Sequence, residues 1–278
     1  MSKSVLISVD MEGLTGAVHP NQTIPQRSDY ERFRNIMVRE ANAAITGAFK
    51  GGASKVVVND SHDGMLNLKI EDLDSRAHLI SGFNKPLCMM EGLGPDFSCV
   101  FFIGYHSMAS GQGVLSHTMT GIISKAYIND VPASEGIVNA MIAGHFNVPV
   151  ALVAGDQYAV EEVKKVVPTV AGVVVKTAID RYSALNRPIV EVERELVEKA
   201  SKSVENIEGL KSYKPSAPIK ITVEYAQPSL AARVAYLPFA KRTDTRTIQF
   251  ESQSPLEAYM NFWSATLLAG TAQEQIYG

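Results

Sequence analysis

The chain has 278 residues, 46% apolar and 20% charged, so it can bury a sizeable core and is too apolar to be disordered. Its net charge of −3, with lysines and arginines scattered, gives no basic face for nucleic acid or for an anionic membrane. Two cysteines, Cys88 and Cys99, are too few for a disulfide scaffold, and no apolar stretch is long enough to span a bilayer.

Met1-Ser2-Lys3-Ser4 runs straight into a strand-like segment, Val5 to Val9, with no signal-peptide core, so the expected compartment is the cytoplasm. Ser28 with Glu31 has the spacing of a capping box opening a helix. Phe33, Ile36, Met37, Ala41, Ala44, Ile45 and Ala48 form the apolar face of that helix, and Gly51-Gly52 stops it. Lys55 to Asn59, Val100 to Ile103 and Val148 to Val153 read as further strands, the last two apolar enough for burial on both faces. Cys99 opens one of these runs and reads as a small buried hydrophobe. A short strand over Lys125 to Asn129 precedes a helix over Ser134 to His145. Alternating strands and helices predict an α/β fold with a three-layer, mainly parallel sheet core.

Past about residue 165 the texture changes. A charged helix over Ile189 to Val204 leads to the linker Lys214-Pro215-Ser216-Ala217-Pro218. Ile219, Ile221, Val223 and Tyr225 then alternate with polar residues as in a half-exposed strand, and Thr245 to Phe250 reads as another. Ser254, Pro255 and Glu257 supply the N-cap, first-turn proline and third-position acid of a final helix reaching about Gly270. The expected division is a metal-binding α/β core over residues 1–185 and a smaller, intertwined α/β unit over 186–278, with the boundary left open.

The chemistry-bearing residues lie just past strand ends, where open α/β sheets bind ligands. The first strand ends in Asp10-Met11-Glu12, the second in Asn59-Asp60-Ser61-His62, and the next apolar strand in Gly104-Tyr105-His106. Glu135 opens a helix nearby. Each residue alone has an ordinary explanation: a solvated turn for the acid pair, a structural role for either histidine, a helix-dipole partner in Glu135. Their recurrence at successive strand ends does not. Mixed carboxylate and imidazole donors suit zinc or a similar divalent ion, and five are more than one tetrahedral site needs. With one bridging carboxylate they fit two metals. His117 is surplus to such a shell and is a candidate acid, base or oxyanion stabiliser, or a loop histidine without a role. His19, His78 and His145 are read as structural. No phosphate-binding glycine loop, G-x-S-x-G elbow or H-E-x-x-H helix is present.

Ser8-Val9-Asp10-Met11-Glu12-Gly13, Val58-Asn59-Asp60-Ser61-His62, Gly104-Tyr105-His106, Ser116-His117-Thr118-Met119 and Tyr127-Ile128-Asn129-Asp130 resemble the motifs of the DppA-like zinc D-aminopeptidases. The resemblance continues through Val153-Ala154-Gly155-Asp156 and Thr247-Ile248-Gln249-Phe250. It implies that Asp10 bridges two zinc ions, that Glu12, His62, His106 and Glu135 complete their shells, and that His117 is catalytic. It further implies release of N-terminal D-amino acids from short peptides or amino-acid amides, and ring-shaped homo-oligomers, decamers in particular. Ser134 stands where the family pattern usually has glycine. Another small amide or a phosphoester as substrate, or a metal-stabilised binding protein without turnover, are the competing expectations.

Overall fold

The computed structural model describes residues 2–272. In chain order its elements are β1 (Lys3–Val9), α1 (Tyr30–Lys50), β2 (Ala53–Asp60), β3 (His78–Ile80), β4 (Cys99–Tyr105), β5 (Ile123–Ile128) and β6 (Val131–Pro132). They continue with α2 (Glu135–His145), β7 (Val150–Asp156), α3 (Gln157–Val166), β8 (Ala171–Asp180), β9 (Ser183–Asn186) and α4 (Ile189–Glu205). The last are β10 (Ile219–Tyr225), α5 (Pro228–Val234), β11 (Lys241–Arg242), β12 (Thr247–Ser252) and α6 (Pro255–Gly270).

Seven strands form one sheet in the order β3-β2-β1-β4-β7-β8-β9, parallel throughout except for the terminal pair β8–β9. Side chains on successive strand residues point to opposite faces. Val5, Ile7 and Val9 of β1 therefore join α1 and α4 in one core, while Leu6 joins α2 and α3 in the other. Cys99, Phe101 and Ile103 of β4 divide from Val100 and Phe102 in the same way. Burial on both faces explains why these strands read as unbroken apolar runs. The result is the expected three-layer α/β/α core.

A second, antiparallel sheet has the order β11-β12-β10-β5-β6. β10 lies at its centre, with Ile221 opposite Phe250 on one side and Ile128 on the other. Its alternate residues Ile219, Ile221, Val223 and Tyr225 are buried in the same core as α2 and α6. This sheet takes β5 and β6 from before residue 186 and three strands from after it, whereas α4 packs back on α1. The two units are thus interleaved along the chain.

Some local expectations differ from the structure. α1 starts at Tyr30 with Asp29 as N-cap, so the Ser28–Glu31 capping box does not form; Glu31 turns outward to Arg34 at 2.9 Å and Lys69 at 3.4 Å. The short edge strand β3, the β8–β9 hairpin and helices α3 and α5 were not anticipated. In β8 the buried Lys176 breaks the apolar pattern that would have marked a strand. The α6 N-terminus is as expected: Ser254 Oγ accepts from the Glu257 backbone N–H at 3.2 Å.

β1 has β2 on one side and β4 on the other, and the chain winds away from it in both directions. Such a switch point opens a crevice at the carboxyl ends of the strands. Asp10, His62 and His106 all follow strands that end there.

Candidate metal centre

Backbone contacts set the positions of the two central loops. Asp10 N–H donates to Ile103 O at 2.8 Å and Gly13 N–H to Gly104 O at 2.7 Å, so the turn after β1 lies directly on the end of β4. A Cβ on Gly13 would collide with Tyr105 O, and one on Gly104, whose φ is +72°, with Asp10 O. Both positions therefore require glycine. The turn after β2 is organised by buried Asp60, whose carboxylate accepts from Asn67 N–H at 2.6 Å, Leu68 N–H at 2.7 Å and Asn67 Nδ2 at 2.8 Å. Asp60 thus holds the turn that carries His62.

The five predicted donors converge in two lobes that share Asp10. In one, His62 Nδ1 lies 3.2 Å from Asp10 Oδ1 and 3.0 Å from Glu12 Oε2. In the other, His106 Nε2 lies 3.4 Å from Asp10 Oδ2 and 3.2 Å from Glu135 Oε1. The outer nitrogens are anchored: His62 Nε2–H donates to Thr23 O at 2.7 Å and His106 Nδ1–H to Ser107 O at 3.0 Å. These bonds fix the tautomers that turn a lone pair inward, the usual arrangement behind a metal-binding histidine. Asp10 Oδ2, Glu12 Oε2 and His106 Nε2 are buried and, apart from these ion-pair contacts, find no well-directed hydrogen-bond partner among the described residues. Leaving three such atoms unpaired is costly unless something else satisfies them. A divalent cation meets that requirement.

The electrostatics are those of a cation site. Burial, reinforced by the charge of Glu12, raises the Asp10 carboxyl to about 7. Burial opposes charge on His106, but Glu135, Asp10 and Glu12 outweigh it and raise the imidazole to about 10. His62 is likewise raised against its burial, chiefly by Glu12. Glu12 and Glu135 are lowered despite burial, mainly by His62 and by His106 respectively. The cluster gathers protons where it would otherwise hold metal.

His117 has a different setting. Its Nδ1–H donates to Leu115 O at 2.9 Å, and Nε2 stands 3.8 Å from Glu135 Oε1. Burial and the adjacent His106 charge both lower its pKa and so favour the neutral imidazole, whose bond to Leu115 O leaves the lone pair on Nε2. The donor atoms of His106, His117 and Glu135 fall within 4.8 Å of one another, so distance alone would also admit His117 to a metal shell. Its side chain is 24% exposed, against 8% for His62 and 1% for His106. The loop is backbone-strained on both sides, at Leu115 (φ +51°) and Met119 (φ +61°), and Met119 N–H donates to Glu135 Oε1 at 2.6 Å. All this borders a cavity of about 490 Å³, with Asp10, Glu12, His62, His117 and Glu135 at its floor. Met65, Phe83, Met89, Ile122, Trp263 and Leu267 supply apolar walls.

The D-aminopeptidase family model matches residues 4–264. The chain belongs to the D-aminopeptidase family. A D-aminopeptidase of Bacillus subtilis (strain 168) is 39% identical to it over 264 residues, covering 95% of this chain and 96% of its own. The solved structure of the Zn-dependent D-aminopeptidase DppA from Bacillus subtilis, described as a self-compartmentalizing protease, superposes with a TM-score of 0.94. That match has 37% identity and covers 99% of this chain and 100% of the other.

In this D-aminopeptidase-family chain, Ser134 is the α2 N-cap but makes no capping bond with its side chain, and it leaves Glu135 aimed at the cluster. His19 caps the turn at Pro20–Gln22, His78 lies on the edge strand β3, and His145 ends α2, all outside the cluster. Several contributors carry little or no signal in the sequence. Thr23 acts through its carbonyl, which no side-chain pattern reveals. Glu162, buried on α3, accepts from Ser107 Oγ at 2.5 Å and from Met108 N–H at 3.1 Å, behind His106. Lys176, fully buried on β8, reaches the turn after β1. Its only sequence signal is a lysine directly after the apolar run Val173-Val174-Val175.

Proposed function

We propose that this protein is a zinc-dependent D-aminopeptidase that removes N-terminal D-amino acids from short peptides or amino-acid amides. Asp10 would bridge two zinc ions, one held with Glu12 and His62 and the other with His106 and Glu135. The observation that carries this reading is Asp10 itself: each of its carboxylate oxygens faces a different histidine, at 3.2 and 3.4 Å. When bound, zinc supplies Lewis acidity and lowers the pKa of water toward neutrality. The stereochemical preference rests on family membership.

The protein's own groups have separable tasks. The carboxylates and imidazoles hold charge at the cavity floor, and the apolar walls exclude water and receive the substrate side chain. Neutral His117, its ring held by the bond to Leu115 O, accepts at Nε2 the proton that the attacking water gives up as its oxygen bonds to the substrate carbonyl carbon, and returns that proton to the amide nitrogen as the C–N bond breaks. As a cation it also steadies negative charge developing on the carbonyl oxygen.

Assembly into a ring, a decamer in particular, belongs to the same reading, supported by the self-compartmentalizing relative. Among the described residues no helix is long and apolar enough to cross a membrane. Cys88 and Cys99 are buried and unpaired, with thiols pushed up to about 12 by burial, which fits a reducing cytoplasm.

Matched D- and L-aminoacyl amides and dipeptides, assayed with added zinc for release of the first residue, test the function. Cleavage of the D-forms is expected. Preference for L-forms, or turnover only of phosphoesters, would overturn the substrate assignment.

A further inference from the structure

Lys176 is fully buried in β8, and all three of its donors are directed at backbone carbonyls. Nζ lies 2.6 Å from Glu12 O, 3.0 Å from Leu14 O and 2.5 Å from Ala17 O. All three acceptors belong to one turn, the irregular segment that leaves β1 and carries Glu12. Its own backbone bonds are few, such as Leu14 N–H to Met11 O at 3.2 Å and Ala17 N–H to Leu14 O at 3.1 Å. The turn is therefore wrapped around an ammonium group. Buried Glu40 on α1 grips it from another side, accepting from Thr15 N–H at 2.8 Å.

A lysine buried in this way is expensive to desolvate, and an apolar residue of similar volume would commonly serve packing as well or better. Bonds from a charged donor to oriented carbonyls are stronger and more directional than neutral ones. What those bonds fix is the backbone at Glu12, and with it the direction in which the Glu12 carboxylate leaves the turn. Without Lys176 the carbonyls of Glu12 and Ala17 would lose this partner and that of Leu14 would keep only Ala17 N–H, and the turn would rotate to find others.

We propose that Lys176 is a positioning residue of the metal centre. By holding the carbonyls of Glu12, Leu14 and Ala17 it sets the aim of Glu12 and hence the metal affinity of the lobe formed with His62 and Asp10. This rests on the reading of the cluster as a metal centre. It separates from a purely packing role, which would lower stability and leave the metal affinity of folded protein unchanged.

The test is a zinc titration against a chromogenic chelator, run on wild type, Lys176→Met and Lys176→Arg, with melting temperatures measured in parallel. Val223→Ala, in the core of the second sheet, serves as a destabilised control distant from the turn. Altering a group that orients a ligand typically costs about 10–100-fold in metal affinity. Lys176→Met should lose about that much at one of two zinc ions, while the control melts lower but binds as wild type. Lys176→Arg keeps charge and donors but overfills the position, so it should fold and bind the same ion more weakly. If Lys176→Met does not fold, Lys176→Arg decides. Wild-type affinity in every folded Lys176 variant overturns the positioning role alone. A wild-type protein that takes up no zinc overturns the metal-centre reading along with it.

Discussion

The rings of His106 and His117 stack with centroids 4.1 Å apart and planes 7° from parallel. One carbonyl ties them together, since Ser107 O accepts from His106 Nδ1 at 3.0 Å and from His117 N–H at 3.1 Å. Charge on His106 therefore works against charge on His117, and their pKa values move in opposite directions.

His117→Ala should fold, keep its metal and lose about a hundredfold to ten-thousandfold in kcat, with KM little changed. Metal stoichiometry, melting temperature and kcat on this one variant discriminate the roles. Lost zinc with rescue by excess metal would make His117 a ligand. Near-normal kcat in folded, metal-replete protein would remove it from the reaction.

Asp10→Ala should empty the site more completely than His62→Ala, because Asp10 faces both lobes and His62 only one. Elemental analysis of the purified variants measures this. Two ions retained in Asp10→Ala would rule out bridging.

Zinc uptake should release protons and strengthen as pH rises. At pH 7 the metal-free protein holds protons on His106, raised to about 10, and on His62, also raised, while Asp10 is near half-titrated at about 7. Zinc requires all three deprotonated. Calorimetry in buffers of different ionisation enthalpy should show a net release. The linked stability has a definite sign. In metal-free protein the His106 contribution is complete below its ordinary value of 6.5 and is lost as pH rises through about 10. Zinc-loaded protein should lack that decline, and a buffer-independent binding enthalpy would contradict this account.

Gly13→Ala should destabilise the protein by about 1–3 kcal/mol or more, since the added methyl meets backbone atoms that cannot swing aside. The melting temperature should fall and zinc affinity with it. Unchanged melting would show that the turn after β1 can lift off β4 at little cost.

Light scattering should show one species well above the 30.1 kDa monomer. A monodisperse monomer at micromolar concentration would refute the assembly and leave the site chemistry untouched.

The sequence indicated both the α/β layering and which side chains would come together at one edge of the sheet. The convergence of Asp10, Glu12, His62 and His106 was legible because candidate donors recur past strand ends, and that of Glu135 because it opens the helix beside them. Helix α1 was legible from its apolar spacing, although its N-cap is Asp29 and not Ser28, and the exposed Glu31 pairs with the half-buried cations of Arg34 and Lys69 in place of closing a capping box. β8 was hidden because Lys176 interrupts its apolar run and finds its partners in a turn distant in sequence, and β3 because three residues carry no period. Nothing local to Ile123–Ile128 shows that its partner is Ile219–Tyr225. Such pairings come from the whole chain.

That pairing shapes the order of events on the ribosome. β5 is synthesised long before β10, and until β10 emerges one full edge of β5 has no strand to bond. At about 5–20 residues per second the exposed interval is on the order of ten seconds. The nascent chain is at greatest risk of edge-to-edge aggregation in that window, although Asp10, His62, His106 and Glu135 have already been made. Chaperone demand should therefore track the late strands, and a chain truncated before Ile219 should be insoluble even though it contains all five candidate donors.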